Sequence, residues 1–417
     1  MRACFRILAI AVPVCASVVI AHNPVRPASA AEVSVGTAVP LEAVPVRQKI
    51  GQMILVGFVG NSPSRTGVRR VLEQLEAGEI GGVLYLGRNL KNKQTVQRMN
   101  AAFREAAPAA LPPLIAIDQE GGRVQRLRGR DGFPETPSAK QIARKGSPND
   151  AESTYRVLAK NLADWGFTLT LGPVVDVDAN PRNPIIGRLG RSYSSDPKRV
   201  AAFGAAFVSA HRAQGILTAL KHFPGHGSSL RDSHKGAVDI TRTWSQDELI
   251  PFRELIADGM VDLVMTAHVI NRTIEQTGKN VPMSLSRDAL AGMLRGDLGF
   301  TGVIISDDIQ MDAIRWNFSL RQAVLKAVMA ETDILLFAND KRPDPGIPRK
   351  VADILETAAK NDPDLARKID AAYSRIVTLK SRLLASAEIS LDASQLLTGT
   401  HTAIVEGEHL CALEPAQ

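Results

Sequence analysis

Cysteine is scarce: the 417 residues contain three, Cys4, Cys15 and Cys411. Thiols this few and this far apart exclude a disulfide scaffold and a cysteine-ligated zinc site. Long apolar runs are scarcer still. The longest opening run, residues 7–21, has 15 residues, short of the ~20 that a helical span needs. No G-x-G-x-x-G follows an early strand and no G-x-x-x-x-G-K-[ST] occurs anywhere, so dinucleotide and nucleoside-phosphate sites lack support. Net charge is low as well. The formal value is +7, and it falls to +4 without Arg2, Arg6 and Arg26 of the first thirty residues. A body so weakly basic gives no sign of a nucleic-acid partner. With 45% hydrophobic and 22% charged residues, the chain is not a disordered one.

What is present begins with an export signal. Arg2 and Arg6 precede the apolar run, no Asp or Glu occurs in residues 1–30, and Ala28-Ser29-Ala30 offers a small-x-small cleavage site. Residues 1–30 therefore read as a signal peptide. The mature protein is expected to be exported, periplasmic or secreted, with no membrane span after cleavage. Cleavage would leave Cys411 as the sole thiol.

Residues 31–385 read as one catalytic domain. Eight short runs rich in Val, Ile and Leu alternate with helical patterns, at 53–58, 82–86, 114–118, 168–171, 216–221, 263–267, 303–307 and 334–337. Near-continuous apolar runs are how strands look when both faces of a parallel sheet are buried. Asp196-Pro197 predicts the start of one helix, with Val200, Phe203, Phe207 and Ala210 as its apolar stripe and Gly215 beyond its end. A second starts near Pro251 and stops at Gly259, and a third carries Leu290, Met293 and Leu294 on one face. Eight such units predict an α/β fold of the (β/α)8 TIM-barrel type. The runner-up is an open doubly wound sheet. After residue 385 the pattern dissolves, and 386–417 read as a C-terminal tail.

Barrel enzymes carry their chemistry where strands end. On that edge the chain places Asp118 and Glu120, then Asp176 and Asp178, Arg188 and Arg191, Lys221 and His222, His268, Asp307-Asp308, and Asn339-Asp340. Asp307 ends an apolar strand, the stiff placement that a nucleophile or ligand needs. Asp308, one step nearer the next helix, is the better capping candidate. Three histidines lie between 221 and 234, yet Pro224 and Gly225 break any helical pairing of His222 with His226, so no metal is expected. Asp232-x-His234 suits a proton donor instead, because a carboxylate fixes the tautomer of an imidazole and favours its protonated form. A strand-end carboxylate with a loop proton donor fits retaining glycoside hydrolysis. On chemistry alone Asp118 or Glu120 could be the acid. Arg126, Arg191, Lys221 and His222 would donate to sugar hydroxyls, with Asp118 accepting. The glycines and serines at 225–229 predict a mobile loop carrying His234.

At these residues the sequence resembles glycoside hydrolase family 3, in its bacterial β-N-acetylglucosaminidase branch acting on peptidoglycan fragments. The matching elements are Asp118-Gln119-Glu120-Gly121-Gly122-Arg123-Val124-Gln125-Arg126, Asn183-Pro184-Ile185-Ile186-Gly187 with Arg191-Ser192-Tyr193, the Lys-His-Phe-Pro-Gly-His-Gly block at 221–227, Asp232-Ser233-His234, and Ser306-Asp307-Asp308. They occur in the family's order. The resemblance implies a barrel, a retaining mechanism and no cofactor. It implies Asp307 as nucleophile, Asp232 and His234 as acid/base dyad, and Asp118, Arg126, Arg191, Lys221 and His222 as ligands of the terminal sugar. The expected partners are small carbohydrates, either muropeptides containing N-acetylglucosamine or chito-oligosaccharides, and the chain is expected to be a monomer. The insert Arg188-Leu189-Gly190 sets Arg188 against Arg191 for the sugar-binding arginine. The alternatives on the same fold are a phosphorylase or transglycosylase, or a β-glucosidase or β-xylosidase. A glycan-binding module without turnover is the alternative outside enzymes.

Overall fold

The computed structural model describes residues 41–402 apart from Lys279, with side chains to residue 385. The export signal and Cys411 lie outside the described residues. Eight strands form one parallel sheet: β1 (Ile54–Gly57), β2 (Gly82–Tyr85), β3 (Leu114–Ile117), β4 (Leu169–Thr170), β5 (Leu217–Phe223), β6 (Leu263–Thr266), β7 (Val303–Ser306) and β8 (Leu335–Phe337). Their order around the sheet follows the chain, and β8 pairs with β1 through Ile54 and Leu335. The bridge between Ile305 and Ile334 joins the last two strands and closes the ring. The fold is a (β/α)8 barrel. Every strand residue is buried, which is why the runs show no alternation.

The helix Pro197–Arg212 begins as its sequence predicts, with the Asp196 carboxylate accepting from the Lys198 and Arg199 amides. Its stripe Val200, Phe203, Phe207 and Ala210 is buried. Two expectations shift. β5 does not stop at Lys221 but runs on through His222 to Phe223, so His222 belongs to the strand rather than to the loop after it. The segment Asp288–Asp297 is a π-helix. Its wider turn buries Leu290 and Leu294 but leaves Met293 only half-buried. The last helix runs from Pro363 to Thr402, past the point where the sequence pattern fades.

Carboxylates and one lysine tie the opposite end of the barrel. Asp262, just before β6, accepts from the Thr218 amide and hydroxyl and pairs with Arg212 at 2.8 Å. Asp333, just before β8, holds Arg295 and Arg375 at 2.7 Å each. Lys380 is buried and donates to Gln52 Oε1 and Gly81 O at 2.7 Å each. Burial without a carboxylate partner lowers its pKa to about 7. These contacts serve stability at the end where barrels carry no chemistry.

Candidate active site

The working end is built outward from β7. The Asp307 amide donates to Thr266 O on β6 at 3.2 Å. Ser306 Oγ accepts from the Leu336 amide on β8 at 3.0 Å. Asp307 is thus fixed between two neighbouring strands. Its Oδ1 accepts from the Asp308 amide at 2.8 Å, leaving Oδ2 for the cleft. Burial alone would raise this carboxyl. The imidazoles of His268, His222 and His234 and the Asp308 amide outweigh it and hold Asp307 below the usual carboxylate range. The group is therefore an anion at neutral pH.

Asp308 does different work. Its Oδ1 accepts from the amides of Gln310 and Ala338 at 3.0 Å each, so it caps a turn and links the end of β7 to the end of β8. Burial pushes it up to about 6. His268 donates from Nε2 to the Asp308 carbonyl at 2.9 Å, bracing the same turn.

Opposite stands a connected ionic lattice. Asp118 takes Lys221 Nζ on one oxygen and Arg126 Nη2 on the other, both at 2.9 Å. Lys221 also reaches Glu120 Oε1 at 2.7 Å. Arg191 clasps Glu120 with two parallel bonds of 2.8 Å and touches His222 Nε2 at 3.4 Å. A guanidinium has no acceptor, so Nε2 of His222 accepts and its Nδ1 donates to Asp176, 2.7 Å away. Burial would raise the carboxyls of Asp118 and Glu120, but their cations hold both below the usual range, Asp118 strongly. Neither can keep a proton at neutral pH, which removes the support for Asp118 or Glu120 as acid. Arg191 is buried in this lattice, whereas Arg188 is exposed outside it. Of the two, it is Arg191 that the structure places in the cleft.

Glu120 is the residue the sequence reading undervalued. Replacing it with alanine strands two buried cations, of which only Lys221 retains a carboxylate, at Asp118. Glu120→Ala is expected to cost about 3 kcal/mol, because breaking a buried pair leaves an uncompensated charge. Thermal unfolding would reveal it as a drop of several degrees. A midpoint within about 2 °C of the parent would refute the structural weight given to this carboxylate.

The dyad sits on the loop after β5. Asp232 caps a short turn by accepting from the His234 amide at 2.9 Å, and the same oxygen meets His234 Nδ1 at 2.8 Å. That bond commits Nδ1 to donate, so Nε2 is free for a substrate. The loop is anchored from below. Asp176 accepts from the amides of His222 and His226, and Glu248 from the Gly227 amide at 2.9 Å. Burial raises Glu248 to about 7. Gly227 is obligatory at its position, since a Cβ would lie 1.7 Å from Val177 O. Gly236 (φ +133°) ends the dyad turn, and a Cβ there would lie 2.8 Å from the ring of Trp316.

All eight site residues expected from the sequence line one cleft of about 360 Å³: Asp118, Arg126, Arg191, Lys221, His222, Asp232, His234 and Asp307. Asp307 lies at its floor, and His234 is more than half exposed at its edge. The arrangement brings together a fixed anion, a tautomer-locked imidazole and a set of donors and acceptors that matches a polyhydroxylated ring.

Comparison with known proteins bears on the family and the fold. The sequence model of the glycosyl hydrolase family 3 N-terminal domain matches residues 45–379. Beta-hexosaminidase A of Pseudoalteromonas piscicida is 31% identical over 389 residues, covering 85% of this chain and 64% of the relative. The structure of a glycoside hydrolase family 3 beta-N-acetylglucosaminidase from Paenibacillus sp. FPU-7 superposes with a TM-score of 0.74 at 31% identity, covering 82% of this chain and 63% of that one. Beta-N-acetylhexosaminidase from Beutenbergia cavernae gives 0.72 at 30%, covering 81% of this chain and 99% of that one. The chain thus spans slightly under two thirds of the Pseudoalteromonas and Paenibacillus proteins.

Proposed function

The chain belongs to glycosyl hydrolase family 3, and from that premise we propose that it is a retaining, exo-acting β-N-acetylglucosaminidase. It removes terminal N-acetylglucosamine from the non-reducing end of peptidoglycan fragments. It does so outside the cytoplasm, after export directed by residues 1–30. The observation that carries this reading is one cleft holding an ionised, strand-fixed Asp307 and a His234 whose Nδ1 is spoken for by Asp232.

The chemistry follows from those atoms. Asp307 Oδ2 attacks the anomeric carbon and forms a glycosyl ester while the bond to the departing oxygen breaks. His234 Nε2 delivers the proton that this oxygen needs, and Asp232 stabilises the developing imidazolium. Water then enters, His234 removes its proton, and attack on the ester frees Asp307 with the original configuration. Asp118, Arg126, Lys221, Arg191 and His222 hold the terminal sugar by its hydroxyls. The His234 loop swings, bringing the acid to the leaving group and admitting water afterwards.

A trapping experiment tests mechanism and nucleophile together. An activated 2-deoxy-2-fluoro glycoside should inactivate the enzyme with one label per chain. Peptide mapping should find that label on Asp307. A label elsewhere, or none with activity retained, would overturn the covalent mechanism. One feature favours a phosphorolytic second reading: an imidazole acid does not repel phosphate as a carboxylate would. Appearance of sugar 1-phosphate in phosphate buffer would identify it.

A further inference from the structure

His226 takes no part in the steps above, yet it is held on several sides. Its amide donates to Asp176 Oδ1 at 2.8 Å, and its carbonyl accepts from Asn183 Nδ2 at 2.7 Å. Both partners follow β4, so the backbone of His226 is fixed to the barrel. Its ring is buried, and burial pushes the imidazole down to about 4. At neutral pH it is therefore uncharged, with one nitrogen donating and the other accepting. Nδ1 meets Ser229 Oγ at 2.5 Å and Nε2 meets Ser233 Oγ at 3.1 Å. A hydroxyl can donate or accept, so either tautomer keeps both serines.

Ser233 stands between the two members of the dyad. In the stretch 230–235 it is the one buried residue, with Asp232 half-buried and the others exposed. Among the described residues, the Ser233–His226 bond is the one side-chain hydrogen bond that ties this stretch to the rest of the molecule, since the Asp232–His234 bonds stay inside the turn. Packing alone does not call for such a bond. His211, also buried, places Nδ1 on the carbonyl of Phe207 in its own helix. His226 instead directs both nitrogens at hydroxyls of the loop that carries the acid.

We propose that His226 is a positioning residue: through Ser233 it latches the dyad turn in the seat from which His234 Nε2 reaches the leaving oxygen. The inference rests on the acid/base reading of His234 given above. Proton transfer needs the imidazole within hydrogen-bond reach of that oxygen, and a turn free to drift holds this alignment only part of the time. When the loop swings, the latch parts and Ser233 Oγ exchanges the ring nitrogen for water. The ring stays behind as a fixed post, because its backbone is anchored elsewhere.

The test begins with Ser233→Ala, which removes the hydroxyl and little else. kcat/KM for chitobiose should fall about tenfold, the size of one hydrogen bond, while that for a dinitrophenyl β-N-acetylglucosaminide stays within about twofold. His226→Gln brings its amide near the place of Nε2 and should keep more chitobiose activity than His226→Asn, which reaches only the place of Nδ1. The reverse order would overturn the latch. In a His234→Ala chain, adding Ser233→Ala should cost less than about twofold more; a further tenfold loss would make the role independent of His234 and overturn it. Trypsin gives a readout free of activity, because Arg231 and Lys235 are exposed on either side of Ser233. Initial cleavage after these residues should rise about fivefold in Ser233→Ala with the thermal midpoint little changed. Unchanged cleavage overturns the latch whatever the rates. Raised cleavage with equal losses on both substrates leaves the latch standing and removes His234 as the acid.

Discussion

Asp307→Ala is expected to lower kcat on an aryl β-N-acetylglucosaminide by about four orders of magnitude, with KM changed little. The size follows from its role. In the proposed mechanism the carboxylate makes the bond to the anomeric carbon, and no neighbour is placed to replace it. Asp308 is the nearest carboxylate, but its Oδ1 is bound by the amides of Gln310 and Ala338. Asp118 and Glu120 are neutralised by Lys221, Arg126 and Arg191. Substrate binding should survive because the groups proposed to hold the sugar, Asp118, Arg126, Arg191, Lys221 and His222, are untouched. The shortened side chain also leaves room for a small anion on the nucleophile's face. Azide should restore part of the turnover and yield the α-glycosyl azide, with configuration inverted. Retention of more than a few per cent of kcat, or a β-azide product, would remove Asp307 from the nucleophile's role.

Much of this site could be read from local pattern because barrels make it local. Each strand ends at the working rim, so residues that follow an apolar run, such as Asp118, His268 and Asp307, declare themselves by position. The same pattern misleads about what each residue does there. Asp262 and Asp333 also flank strands, yet they precede β6 and β8 and so clamp the other end. Partnership was the part hidden from sequence. Glu120 meets Arg191 from 71 residues away, Asp176 meets His222 across 46, and Asp118 meets Lys221 across 103. No periodicity encodes such pairs, because they exist only once the strands lie side by side. The ends of elements shifted for a related reason. β5 continues through His222 and Phe223 because hydrogen bonding to β6 extends that far, whereas the apolar run stops at Lys221. The π-helix at Asp288–Asp297 kept its apolar spacing but changed its pitch, and only Met293 registered the difference.

His234→Ala should divide substrates by their leaving groups. A disaccharide departs as an alkoxide unless protonated, so its hydrolysis is expected to fall about a thousandfold or more. A dinitrophenyl glycoside departs unaided, so its first step should be nearly preserved. The second step still lacks the base that activates water. The glycosyl ester on Asp307 should therefore accumulate, lowering kcat and KM together and producing a burst of dinitrophenol. Azide should relieve the block and give the β-glycosyl azide, the opposite anomer from the Asp307 variant, because it attacks the ester from the face that water uses. Asp232→Asn should act in the same direction with a smaller loss. It removes the charge that steadies an imidazolium while keeping a side chain at 2.8 Å reach of Nδ1. Equal losses on both leaving groups would rule out His234 as the acid. The two rescue products must also differ in anomeric configuration, since His234 and Asp307 act on opposite faces of the same carbon.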